Sequence, residues 1–344
     1  MRAMAVVDYT TPLRSIDREE PVLEPGHALL DVQTCGVCAT DLKIVAGRMP
    51  FSNELRLPHV PGHEIFARVV RTEPPELVAA GARVVVYQYG PCRRCASCLR
   101  GDEVLCLDMR AWLGFVDPGG FQERIVAPVD RLIEVPTTVS AVEAAPLSCA
   151  VGTAYRSVVS RAGVRSGDAV AVIGLGGVGI HAAQVAVAAG ASVIGLDVRD
   201  AALDAAVELG VRTIRADDPD AARAMLTEHP TGVDAVIDTV ATDETTELAI
   251  EVIRRGGRIV DVGHGPATRT SIPTRRLVLD EIQVMGSRYA TRHEMARAIA
   301  LVGQGRVRPI VGLTRPLDRA QEALDALANG EFVGRAVIDV AGVT

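Results

Sequence analysis

The stretch AVAVIGLGGVGIHAAQVAVAAG, residues 169–190, joins an apolar run to a glycine-rich turn and then to a second apolar segment. A short apolar run closed by glycines reads as a buried strand, and the segment after the turn as an apolar-faced helix ended by Gly190. GLGGVG, Gly174 to Gly179, therefore stands between a strand and a helix. In that setting Gly174 permits the tight turn, Gly176 lets a pyrophosphate approach the backbone, and Gly179 lets helix and strand pack closely. The free N–H groups and positive dipole end of the helix favour the phosphates. The next strand, SVIGLD, ends in Asp197, 18 residues past Gly179. A carboxylate there accepts hydrogen bonds from a ribose diol and repels a 2′-phosphate, which favours NAD over NADP. Arg199, two residues on, keeps NADP open. The whole turn, Gly177 and Val178 included, is the candidate cofactor site. The competing reading is a structural glycine turn with Asp197 as a helix cap.

Working outward, the helix DAALDAAVELG follows, then strands at VDAVID and GRIVDVG with a helix around 244–255 between them. Alternating strands and helices imply an α/β fold with a doubly wound parallel sheet and right-handed crossovers. The chain closes with two helices, RHEMARAIALVG and LDRAQEALDALANG, and a strand, GRAVIDV. Before residue 150 the texture differs: β-like runs such as HALLDVQT, ARVVVYQ and FQERIVAP, broken by Pro and Gly. The 344 residues thus divide into a β-rich domain, 1–150 plus 288–344, and a dinucleotide-binding domain, 151–287.

The composition, 48% hydrophobic and 23% charged, is that of an ordinary globular enzyme. The net charge of −7 forms no basic stripe, which argues against nucleic acid as a partner. No apolar run approaches the roughly 18 residues of a membrane span. Asp8 interrupts the N-terminus too early for a signal peptide, so a cytoplasmic protein is expected. In a reducing compartment seven cysteines imply metal before disulfides. Four of them, Cys92, Cys95, Cys98 and Cys106, lie in CRRCASCLRGDEVLC. Four thiolates in one loop can close a tetrahedron around Zn²⁺ with no open position, a structural site, and Arg93, Arg94 and Arg100 would offset their charge. The spacing also fits an iron–sulfur run, but no Cys-Pro ending follows.

Together, CGVCATD (35–41), VPGHE (60–64), the four-cysteine loop, LSCAVGTAY (147–155), GLGGVG and GRAVID (334–339) give a resemblance. In their order and separations the chain resembles the zinc-dependent medium-chain alcohol dehydrogenases over nearly its whole length. The resemblance implies a Rossmann domain plus a β-rich GroES-like catalytic domain. It makes Cys38, His63 and Cys149 ligands of a catalytic zinc, with Glu64 a carboxylate that can approach the same metal. Asp41 would orient the His63 imidazole, and Cys35 would simply pack. Two zinc ions per chain are therefore expected, one catalytic and one structural. By the same resemblance Thr153 and Val178 would contact the nicotinamide, Arg335 the pyrophosphate, and Thr40 would pass on the alcohol proton. The implied reaction is hydride transfer between an alcohol carbon and NAD, with zinc as Lewis acid.

Four positions depart from the family pattern. Lys43 stands where a relay histidine is common, Ala39 where a basic residue is common, and Met49 and Gln88 replace bulky or aromatic pocket residues. The last two suggest a roomier, more polar pocket for a secondary, polyol or functionalised alcohol. The short run from Cys106 to Cys149 resembles the tetrameric members, so a homotetramer is implied, with a dimer as the alternative. A sugar-alcohol or threonine dehydrogenase, a zinc-free quinone or enoyl reductase, and a non-catalytic NAD-binding scaffold remain as rivals.

Overall fold

The computed structural model describes residues 1–264 and 269–343. Its described part falls into two units, Met1–Cys149 with Thr291–Gly303 and Val311–Thr344, and Ala150–Ala290 with Gln304–Ile310.

In the first unit the long strand His27–Val37 is central, and its β-branched and apolar residues are mostly buried. It pairs antiparallel with Glu64–Glu73 on one side and Arg335–Asp339 on the other, and also with Arg124–Pro128. Arg83–Val86 and Leu132–Glu134 extend the sheet beyond Glu64–Glu73, and Val311–Pro316 lies beyond Arg335–Asp339. One core made of small and branched residues, including Leu30, Val32, Val37, Ile65, Val84, Leu324 and Ile338, holds these strands to the helix Ala320–Ala328. The C-terminal strand therefore reaches the middle of a sheet begun 300 residues earlier, and brings Arg335 beside the end of His27–Val37.

In the second unit six strands form an all-parallel sheet. The spatial order, from one edge, is Arg212–Arg215, Ser192–Asp197, Ala169–Ile173, Val233–Asp238, Ile253–Asp261 and Gln283–Gly286. This is the doubly wound order, with the order reversing beside Ala169–Ile173. All five residues of that strand are buried, as a strand covered on both faces requires. Gln304–Ile310 is tied to this unit by the Ile310 N–H donating to His181 Nε2 and by two hydrogen bonds between Arg308 and Gln184.

Two expectations shift. The helix expected at 244–255 runs Asp243–Val252, because Ile253 turns extended and enters the sheet opposite Val233. The strand read as GRIVDVG accordingly starts at Ile253. Arg212–Arg215, Ala221–Glu228, Thr274–Leu279 and Gln283–Gly286 were not anticipated. Among the described residues no helix is long and apolar enough to cross a membrane.

Candidate active site and metal centres

Cys38 is the last extended residue before the helix Ala39–Val45 and serves as its N-cap. The third helical residue, Asp41, accepts the Cys38 backbone N–H through Oδ2 at 2.8 Å. Its other oxygen lies 3.3 Å from both the Gly62 N–H and His63 Nδ1. An imidazole that donates from Nδ1 to a carboxylate keeps Nε2 as a lone pair for a cation. Both side chains are buried, at 1% and 0% exposure. Glu64 begins the next strand opposite Gly36, where a Cβ would meet Glu64 Oε2 at 2.3 Å, so only glycine leaves the carboxylate its place. Cys149 follows the short turn Ala145–Ser148.

These segments bring one ligand-capable atom from each of Cys38, His63, Glu64 and Cys149 within 4.8 Å of one another. Arg335 completes the cluster: Nε donates to Glu64 Oε1 at 2.9 Å, and Nη2 lies 3.5 Å from Cys38 Sγ. The family assignment gave Arg335 to the pyrophosphate. Here its guanidinium is buried and met by Glu64 and Cys38. Thr40 Oγ1 lies 3.8 Å from Cys38 Sγ.

The hydrogen bond from Cys149, with Arg335 and His63 beside it, outweighs burial and holds the Cys38 thiol well below its ordinary range. The same hydrogen bond and burial push Cys149 well up, so Cys38 is the thiolate of the pair. Burial pushes Glu64 up to about 7, Arg335 working against it and Cys38 with it. Burial would lower His63, but Asp41 and Cys38 outweigh it and make the ring strongly basic. Burial, helped by the negative charges of Asp41 and Glu64, pushes Cys35 well up, which leaves it a protonated packing residue.

The donor set fits zinc: two sulfurs, an imidazole and a carboxylate are its usual ligands. Glu64 Oε2 adds a buried oxygen with no hydrogen-bond partner among the described residues. The four-cysteine loop fits equally. Its Sγ atoms lie 3.6 Å apart for Cys95–Cys98 and 4.0 Å apart for Cys92–Cys98 and Cys95–Cys106. A tetrahedron with Zn–S near 2.3 Å has edges of about 3.8 Å, whereas a disulfide needs sulfurs about 2.05 Å apart. Backbone N–H groups of Cys92 and Cys95 point at Cys106 and Cys92 sulfurs, and backbone donation pulls Cys95 down to about 6. The role expected of Arg93 and Arg94 changes: both are exposed and paired with Asp130 and Asp108. Main-chain donors, not these guanidinium groups, meet the sulfurs.

In the second unit, Gly174 turns at φ +82° at the end of its strand. A Cβ at Gly179 would lie 1.6 Å from the Gly174 carbonyl oxygen, while one at Gly176 would meet nothing within 4 Å. One glycine is needed for packing and the other faces open space, the cradle a pyrophosphate requires. Gly177 and Val178 lie between Gly176 and the helix Gly179–Ala188, with Val178 as its N-cap. Asp197 Oδ2 accepts the Leu175 N–H at 2.8 Å, and Oδ1 accepts the Arg199 N–H at 3.0 Å. Arg199 Nε turns to the same Oδ1 at 3.3 Å. Thr153 is buried on the short helix Ala150–Tyr155. His181, which no motif singles out, joins the turn: its Nδ1 lies 2.7 Å from the Gly177 carbonyl oxygen.

To the pocket residues read from sequence, Met49 and Gln88, the structure adds others. Gln88, between Tyr87 and Tyr89 in sequence, is buried, and its Oε1 has no hydrogen-bond partner among the described residues. Met49 opens the turn that presents Phe51. The side chains that reach the metal-ligating cluster are rings: Phe115 lies 4.9 Å from the His63 ring, Trp112 stacks on Phe115 at 4.2 Å, and Phe51 is 5.4 Å from Trp112. The sequence signal was WLGF, two aromatics three apart in a chain that is only 3% aromatic.

Two family models match: the alcohol dehydrogenase GroES-like domain over residues 24–137 and the zinc-binding dehydrogenase over 177–304. An alcohol dehydrogenase of Geobacillus stearothermophilus is 33% identical over 342 residues, 99% of this chain and all of that protein. An NAD-dependent alcohol dehydrogenase of Sulfurisphaera tokodaii is 34% identical over 353 residues, 98% of this chain and 99% of that one. Among solved structures, an NAD-dependent alcohol dehydrogenase superposes with a TM-score of 0.93 at 28% identity, covering 99% of this chain and 100% of that one. The alcohol dehydrogenase of the archaeon Aeropyrum pernix gives 0.89 at 30%, with the same coverage.

Proposed function

The chain belongs to the zinc-dependent medium-chain alcohol dehydrogenase family and is an alcohol dehydrogenase, and from that premise we propose how its own residues carry the reaction. It interconverts a secondary, polyol or functionalised alcohol with its ketone or aldehyde, using NAD in preference to NADP. Cys38, His63 and Cys149 hold the catalytic zinc, and Glu64 is the carboxylate able to approach it. Cys92, Cys95, Cys98 and Cys106 hold a second, structural zinc. Zinc in the catalytic site supplies a Lewis acid for the alcohol oxygen. NAD supplies the hydride acceptor.

The observation that carries this reading is the cluster of four donors, His63 and Glu64 buried and Cys38 partly so, with the Cys38 thiol held well down and one Glu64 oxygen without a partner among the described residues. A metal-free quinone or enoyl reductase has no use for such a set. Around it, Asp41 orients His63, and Arg335 keeps Glu64 in a charge-balanced position. Thr40, beside Cys38, accepts and passes on the alcohol proton. On the second unit the glycine turn from Gly174 to Gly179 receives the pyrophosphate, Asp197 the ribose diol, and Thr153 the nicotinamide end, while Arg199 sits beside Asp197. A cytoplasmic homotetramer is the assembly that the family resemblance suggests.

The test is NADH formation with a panel of alcohols on the wild type and on two variants. Thr40→Ala should lower kcat by ~100-fold or more, the scale of a lost proton-transfer group. Lys43→Ala should cost less than about threefold if Lys43 is only a charge. Lys43 is the chain's only lysine, so amine-selective labelling followed by assay checks the same point on unmutated protein. Equal large losses would put Lys43 in the proton path. No NADH with any alcohol, despite NAD binding, would favour a non-catalytic scaffold.

A further inference from the structure

The chain has only eleven aromatic residues, and five of them form one connected cluster. Tyr87 meets Tyr89 at 5.9 Å, Tyr89 meets Trp112 at 5.5 Å, and Phe51, Trp112 and Phe115 continue the row to His63. The core of the same unit is built largely from alanine, valine, leucine and isoleucine. Rings are thus concentrated beside the donor cluster. Phe115 is buried against the His63 ring, while Phe51 and Trp112 are only partly covered. The row therefore runs from a metal ligand outward to partly open ring surface.

We propose that Phe51, Trp112 and Phe115 form the wall against which the organic part of the substrate lies, and that they select an alcohol whose reacting carbon carries a planar unsaturated group, an aryl or alkenyl substituent. This deepens the dehydrogenase reading of the same site and rests on it. Planar groups stack on aromatic faces in offset or tilted geometry and gain more than burial of area alone provides. A polyol on this wall would leave hydroxyl groups against ring faces without hydrogen-bond partners, at a desolvation cost. The more polar pocket suggested by Met49 and Gln88 is therefore narrowed to the functionalised class, with the functional group a flat one.

Trp112 is the only tryptophan in the chain, so its emission reports on this wall and nothing else. The experiment titrates the zinc-loaded enzyme, without NAD⁺ so that no NADH forms to quench the indole, with benzyl alcohol and with cyclohexylmethanol, a saturated ring of the same size. Emission of Trp112 should respond saturably to benzyl alcohol at concentrations near its KM, and weakly to cyclohexylmethanol. In parallel, the ratio of kcat/KM for the two alcohols is compared in wild type, Trp112→Leu and Trp112→Phe. Intrinsic reactivity of the two alcohols is common to all three proteins, so a changed ratio reports the wall. Trp112→Leu should lower the ratio by roughly tenfold, the value of one stacked pair, and Trp112→Phe should retain most of it. The phenylalanine variant guards against a simple folding defect. Both alcohols oxidised with a ratio unchanged in Trp112→Leu would mean the rings are packing only. No alcohol oxidised by wild type would overturn the dehydrogenase reading, and this inference with it.

Discussion

Arg335 shows what one residue contributes to the site and how far away its partner can lie. Its guanidinium bonds to Glu64, 271 positions earlier, and is 4% exposed, while Glu64 is fully buried. Removing one partner of a buried pair leaves an uncompensated charge and costs about 3–5 kcal/mol, whereas neutralising both is far milder. Arg335→Met should therefore be destabilised by about that amount in chemical denaturation, and adding Glu64→Gln should recover much of the loss. A single variant as stable as wild type would show that the pair does not hold this corner of the fold. The sequence made Glu64 conspicuous because it follows His63. It could not show that Arg335 would be its partner, because that contact depends on a C-terminal strand pairing with His27–Val37. Cys38, Asp41 and His63 were easier to read, since the Cys38–Asp41 contact lies within one helical turn.

At the scale of elements, the strand–turn–helix at Ala169–Ala188 was legible because its chemistry is local. An apolar run, a glycine at positive φ and an N-terminal helix end all leave marks in consecutive residues. Arg212–Arg215 was not legible: at the sheet edge, with two residues exposed and two half-buried, it carries no apolar run. The end of the helix Asp243–Val252 was misplaced because pairing with Val233, not a local stop signal, ends it at Ile253. The glycine turn gives the sharpest test at this scale. Gly179→Ala would drive a Cβ into a backbone oxygen 1.6 Å away. Overpacking of this kind costs about 1–3 kcal/mol, so both thermal stability and NAD affinity should fall. Gly176→Ala meets nothing within 4 Å in the folded chain, so the melting temperature should hold, while a methyl group crowding the pyrophosphate at about 1–3 kcal/mol should lower NAD affinity roughly 5- to 150-fold. NAD titration and thermal melts on both variants separate the two roles. Unchanged NAD binding in Gly176→Ala would remove the pyrophosphate from this turn.

At the scale of the whole molecule, two cysteine-bearing clusters with different purposes lie in one chain. The loop of Cys92, Cys95, Cys98 and Cys106 is contiguous, so spacing alone revealed it. The other set joins Cys38, His63, Glu64 and Cys149 through the sheet of the first unit. Spacing could not assemble those four, and only the family resemblance brought them together before the fold did. The ring wall was missed for a related reason: Phe51 and Trp112 are 61 positions apart, and the WLGF spacing links Trp112 only to Phe115. The most direct test of the central claim is elemental analysis of zinc per chain in wild type and in Cys38→Ala. Two zinc ions in wild type should fall to one in the variant, with the four-cysteine loop still filled. One zinc in both proteins would contradict it, leaving only the structural loop loaded and the cluster at Cys38 without its metal.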